Sequence, residues 1–186
     1  AMAYRNIAEV YDSENNYNKT VAVLENFNKV CERNSSWHKK FAEAKFDEMD
    51  YQEKQLSCAT NFDGYIVPLA QKWDKRVRKQ YNKDLFNSIV RLYEVYLLDS
   101  KDKKNDVSMH YALSELLFHR KKYTRASKEY FLTAQKAKKA ETIHDASYSS
   151  IVSLEKSVKG KWAQEQEERY VVLASFYIEK NPKGKH

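Results

Sequence analysis

The sequence predicts an all-α fold of about nine helices, and three observations carry that expectation. Gly is 3 and Pro is 2 in 186 residues, too few turn formers for a sandwich or barrel of many short strands. Apolar residues recur at helical spacing in one run after another. Short clusters rich in Asn, Ser, Asp and Gly separate those runs. Hydrophobic residues make up 42% and charged residues 32%, which excludes a disordered chain and a membrane-embedded one. No apolar run approaches the ~18 residues of a membrane helix, and no signal peptide is visible. Fourteen Tyr, eight Phe and three Trp supply broad rings for a core.

The elements follow in order. A first helix over 2–12 ends at Ser13-Glu14-Asn15-Asn16. A second, over 17–32, carries Val21, Leu24, Phe27 and Val30 on one stripe. Asn34-Ser35-Ser36 breaks the chain before a third helix over 37–57, with Phe41, Ala44, Phe46, Met49 and Leu56 as its apolar members. Thr60-Asn61-Phe62-Asp63-Gly64 reads as another break, with Asp63 capping a fourth helix over 65–79. Pro68 then falls in or near the first turn, where amide donors lack helical partners. A fifth helix spans 82–98, a charged loop 99–106, and further helices 107–120, 123–138, 142–157 and 161–180. Gly160 marks the last turn, and Asn181-Pro182 stops the final helix.

Two segments share a pattern. Ile7-Ala8-Glu9-Val10-Tyr11 is followed by Tyr17, Thr20, Leu24 and Phe27; Leu113-Ser114-Glu115-Leu116-Leu117 is followed by Tyr123, Ala126, Tyr130 and Thr133-Ala134. Each sets an apolar-small pair on a first helix and a Tyr ten residues on, at the start of a second. A small residue lets two helices approach, and a large ring fills the gap to the next pair. A fainter copy lies 34 residues on, where His144-Asp145-Ala146 follows His110-Tyr111-Ala112.

This pattern resembles the tetratricopeptide repeat, a helix–turn–helix unit of about 34 residues. The units would be 2–35, a degenerate one at 63–99, the best match at 107–140 and a degenerate terminal pair at 142–181, with 36–58 an inserted or decayed helix in one repeat domain over 1–186. Thr20 stands where Ala is usual, and no Pro closes the first unit. The resemblance implies a right-handed α-α superhelix in which each helix meets only adjacent helices, leaving a concave groove lined by the first helix of each pair. Tyr93-Glu94-Val95-Tyr96-Leu97 with Tyr111-Ala112-Leu113 and Tyr123-Thr124-Arg125-Ala126 also resembles, more faintly, bacterial cell-envelope proteins of this family.

The resemblance implies groove positions at Arg5, Glu9 and Asp12 in the first unit and Tyr111, Glu115, Phe118 and His119 in the best one. Tyr111 and Phe118 would be anchors, or would pack against the neighbouring helices. Chaperone-binding relatives clamp a terminal carboxylate with Lys, Asn and Arg; the corresponding positions here include Glu9 and Glu115, which repel a carboxylate. The implied ligand is an extended peptide or helix of a partner protein.

Other groupings carry less. Net charge is +7, and basic clusters Lys72, Lys75, Arg76, Arg78, Lys79, Lys83 and Arg120, Lys121, Lys122, Arg125, Lys128 interleave with Trp73, Tyr81 and Tyr123. They offer the alternative function, a basic surface for nucleic acid or anionic membrane; with the rings at packing positions, nucleic acid is disfavoured. His110 and His144 take equivalent repeat positions, but no metal-ligand spacing occurs. Asp47, Glu48, Asp50 and Glu53 read as a solvated helix face. Cys31 and Cys58 are expected as unbridged buried thiols, near opposite ends of successive helices. No G-x-S-x-G, P-loop or G-x-G-x-x-G occurs. The expectation is a non-enzymatic interaction scaffold without cofactor or metal. Ala1-Met2 and helical patterning that starts without a cap suggest a piece of a longer protein; compartment (cell envelope or cytoplasm) and oligomeric state stay open.

Overall fold

The computed structural model describes residues 2–31, 39, 48–98 and 105–182. The chain divides into two compact units, Ala1–Ser100 and Lys101–His186. The described residues form eight α-helices: α1 (Met2–Ser13), α2 (Tyr17–Cys31), α3 (Glu48–Lys79), α4 (Lys83–Leu97), α5 (Asp106–His119), α6 (Tyr123–Lys136), α7 (Ala140–Ser157) and α8 (Gln164–Lys180).

In the first unit α2 packs against α1, α3 and α4, and α3 packs against α4. Helix contacts there are not confined to chain neighbours. Phe27 of α2 stacks on Tyr4 of α1 at 5.6 Å and meets Phe62 of α3 edge-on at 5.4 Å. Trp73, Tyr93, Tyr96, Ile66, Leu85, Ile89 and Leu92 complete a ring-rich core. Asn82 caps α4, its side-chain oxygen accepting from the Leu85 amide at 2.9 Å, which satisfies one of the free donors of the first turn.

The break expected at 60–64 is absent. α3 runs through it for 32 residues, with Pro68 inside the helix. The reason is burial: Phe62, Ile66, Leu69, Ala70, Trp73 and Val77 all face the core. Their spacing of three and four continues one apolar stripe across Asp63-Gly64. That burial outweighs the cost of a proline in a helix interior.

The expected free thiols are also corrected, because Cys31 is disulfide-bonded and no free cysteine is found among the described residues. The chain's other cysteine is Cys58, whose side chain lies outside the described residues. The backbone register explains the bond. α2 and α3 run antiparallel, with Phe27 beside Phe62 and Tyr17 beside Trp73 at 5.2 Å. One turn beyond Phe27 is position 31, and one turn before Phe62 is position 58, so the two positions face each other. Reduction of the chain, or Cys31→Ser, is expected to destabilise the first unit by about 3 kcal/mol. Denaturant melts with and without reductant check this; coincident curves contradict it.

In the second unit the main interfaces join α5 to α6, α6 to α7 and α7 to α8. Small residues let α6 and α7 come close: Ala126, Ser127, Thr133 and Ala134 on one side, Ala146, Ser147, Ser150 and Ser153 on the other, all buried. The buried α7 serines bond back to carbonyls of the preceding turn, as Ser150 Oγ does to Ser147 at 2.7 Å, so little polar cost remains.

The two segments with matching sequence pattern share a turn. Asn15 and Lys121 both have φ of 58°. Asn16 N donates to Tyr11 O and Lys122 N to Leu117 O, both at 2.8 Å, while Asn15 N donates to Asp12 O and Lys121 N to Phe118 O. These are paired Schellman closures, each placing a Tyr at the start of the next helix. Asn tolerates the left-handed conformation; Lys is strained in it. Lys121→Gly is expected to stabilise the second unit by about 0.5–1 kcal/mol, measured as a higher denaturation midpoint. A lower midpoint would contradict the assignment of strain.

Candidate functional site

α5 buries Met109, Leu113, Leu116 and Leu117 against its neighbours. Helical periodicity then sets Tyr111, Glu115 and Phe118 together on another face, all three half-buried. Tyr130 of α6 lies among them, 2% exposed. Its ring is 5.8 Å from Tyr111 and 6.3 Å from Phe118, and Phe118 also meets Tyr123 at 5.3 Å. The Tyr130 hydroxyl donates to Glu115 Oε1, fixing that carboxylate.

α7 carries a second group of aromatic and charged side chains. Burial first, then the negative charges of Glu115 and Asp145, push the Tyr111 hydroxyl above its ordinary pKa. His144 Nδ1 lies 3.0 Å from Asp145 Oδ1, and His144 Nε2 lies 3.0 Å from the Tyr177 hydroxyl. Tyr148 is exposed, its ring 6.1 Å from that of Tyr177. Neither Glu115 nor Asp145 is met by a lysine or arginine among the described residues.

Charge is segregated within this unit. α5 and α7 carry Asp106, Glu115, Glu141, Asp145 and Glu155 against one basic residue, Lys156. The stretch from Arg120 to Lys139 carries eight Lys and Arg against one acid, Glu129. The first unit, with 15 basic and 15 acidic residues, is formally neutral. The chain's net positive charge therefore resides in the second unit.

The remaining sequence-expected positions have these surroundings. His119 is exposed at the end of α5. In the first unit Arg5 Nε donates to Glu9 Oε1 at 2.8 Å, and its guanidinium sits over the Tyr65 ring at 5.7 Å. Glu9 holds the Arg5 pKa above its usual value. Asp12 accepts from Lys72 Nζ at 2.7 Å and from the Trp73 indole N–H at 2.8 Å. Asp12 thereby ties α1 to α3, a partner that first-helix spacing did not reveal. Burial first, then Asp12 and Glu9, push the Tyr65 hydroxyl up to about 12.

The two candidate histidines are each engaged within their own helix pair. His110 Nδ1 meets Glu129 Oε2 at 2.9 Å, and its Nε2 lies 3.7 Å from Asp106. His144 is held by Asp145 and Tyr177 as above. Among the described residues, no three His, Cys, Asp or Glu side chains gather to hold a metal ion. Asp47 lies outside the described residues; positions 48, 50 and 53 are helical in α3. Among the described residues, no helix is long and apolar enough to cross a membrane.

No family model, curated protein or solved structure matches the chain. The functional reading therefore stands on the residues themselves. Tyr111, Glu115, Phe118, Asp145 and Tyr148 present aromatic surface, a hydroxyl and two carboxylates on rigid helices. Side chains of this kind can hold a segment that carries both apolar and cationic groups.

Proposed function

We propose that the chain is a non-enzymatic interaction scaffold with tetratricopeptide-like stacking of its helix pairs. Its working surface is the face shared by α5 and α7. The observation that carries the reading is the pairing of exposed or half-buried rings with two carboxylates that lack a Lys or Arg partner. Packing alone would tolerate apolar residues at these places. The recurrence of one turn geometry at Asn15 and Lys121 supports the repeat reading. The partner is a protein segment, extended or helical, bearing Lys or Arg beside an apolar residue. A terminal carboxylate is a poor ligand beside Glu115. The disulfide at Cys31 favours an oxidising compartment such as the cell envelope over the cytoplasm.

Tyr111→Ala combined with Tyr148→Ala tests this. Both side chains are incompletely buried, so the fold is expected to survive, as circular dichroism would show. Capture of the partner segment is expected to fall about ten-fold or more, the loss of an aromatic anchor pair. Undiminished capture by the folded double variant would remove this face from the account.

A further inference from the structure

We propose that the outer face of α6 is a docking surface for an anionic lipid bilayer, separate from the α5/α7 face. α6 buries Ala126, Ser127, Tyr130, Thr133 and Ala134. Opposite them α6 exposes Lys128 and Leu132, and the turns at its two ends expose Lys121 and Lys139. With Lys122 and Lys138, this places five lysines along and just beyond a helix of 14 residues, roughly 21 Å long.

None of these five lysines forms an ion pair among the described residues. The one acid of the stretch, Glu129, is turned inward, where its carboxylate meets His110 at 2.9 Å and Arg125 at 3.9 Å. The net charge of the second unit thus falls within the stretch from Arg120 to Lys139, where no acid stands among the exposed lysines. A merely solvated helix face commonly mixes both signs; this one does not.

The chemistry of the stripe selects the partner. Lysines are point charges without the planar fork that grips phosphates in pairs. The rings at the surface of α6 are engaged by neighbours, Tyr123 packing on Phe118 and Phe131 on Phe176 at 5.2 Å. Both features disfavour a nucleic acid. An acidic protein partner would need an apolar centre to bury, and the stripe offers Leu132 alone, 38% exposed. A planar anionic surface needs no shape match, accepts point charges, and takes one leucine at the headgroup boundary.

The test is co-sedimentation of the full chain with vesicles of phosphatidylcholine alone or with about one-third phosphatidylglycerol, at about 0.1 M salt. Binding is expected to the anionic vesicles and not to the neutral ones. The triple change Lys121→Asn, Lys128→Gln and Lys139→Gln should weaken it about 100-fold, at roughly five-fold per lysine. The control Lys75→Gln, Lys79→Gln and Lys83→Gln removes equal charge from the first unit and should change binding by only a few-fold. Failure to bind anionic vesicles, equal weakening by both triples, or tighter binding to a duplex oligonucleotide than to the vesicles would each overturn the proposal.

Discussion

Trp73→Ala is expected to cost the first unit about 4 kcal/mol, much of the stability a domain of this size possesses. Trp73 is fully buried and sits where three helices meet. Its ring meets Tyr17 of α2 edge-on at 5.2 Å, and its indole N–H reaches Asp12 at the end of α1. Truncation leaves a void beside Tyr17 in the buried core. It also takes from Asp12 its buried donor, leaving Lys72, which is largely in solvent. Trp73→Phe separates the two effects, since it keeps most of the ring and loses only the donor. That change is expected to cost about 1–2 kcal/mol. Urea melts followed by circular dichroism give both numbers; equal costs for the two variants would contradict the packing account.

Tyr130→Ala is expected to cost the second unit about 4 kcal/mol and to abolish partner capture with it. Tyr130 supports the α5 face from below, touching Tyr111 and Phe118 and holding Glu115. The informative companion is Tyr130→Phe. It retains the ring and frees the Glu115 carboxylate, at a cost of about 1 kcal/mol. Capture of the partner segment should then fall by several-fold while the unit stays folded, its melting midpoint lowered by only about 4–8 °C, because a carboxylate held in place binds better than one that must be ordered on binding. If Tyr130→Phe leaves capture unchanged, Glu115 has no part in recognition.

Much of this architecture is legible in the residues. The spacing from Ile7 to Tyr17 and from Leu113 to Tyr123 marks two hairpins, which close through Asn15 and Lys121 at the same left-handed φ of 58°. Ser and Ala at 146, 147, 150 and 153 announce a close helix contact. The continuity of α3 was obscured because Asn61, Asp63 and Gly64 are turn formers, a local preference overruled by burial of Phe62 and Ile66. The signal was present in the unbroken stripe from Phe62 to Val77. The disulfide was missed for the same reason, since a helix broken at Gly64 hides the antiparallel register that brings position 58 to position 31. The repeat resemblance implied that Asp12 is a groove residue; only tertiary packing shows that Trp73 and Lys72 engage it. The division of charge between α5/α7 and the stretch around α6 is written in the sequence, but becomes visible only when charges are sorted by helix instead of by run.

The most direct measurement is site-specific photo-crosslinking from Tyr148 on α7, compared with Val171 on α8, in the presence of a Lys- and Arg-bearing partner segment. The account predicts an adduct from position 148 that is lost in Asp145→Lys, and little or none from position 171. Adducts from 171 alone, or an adduct at 148 that ignores the charge reversal, would contradict a binding face built from α5 and α7.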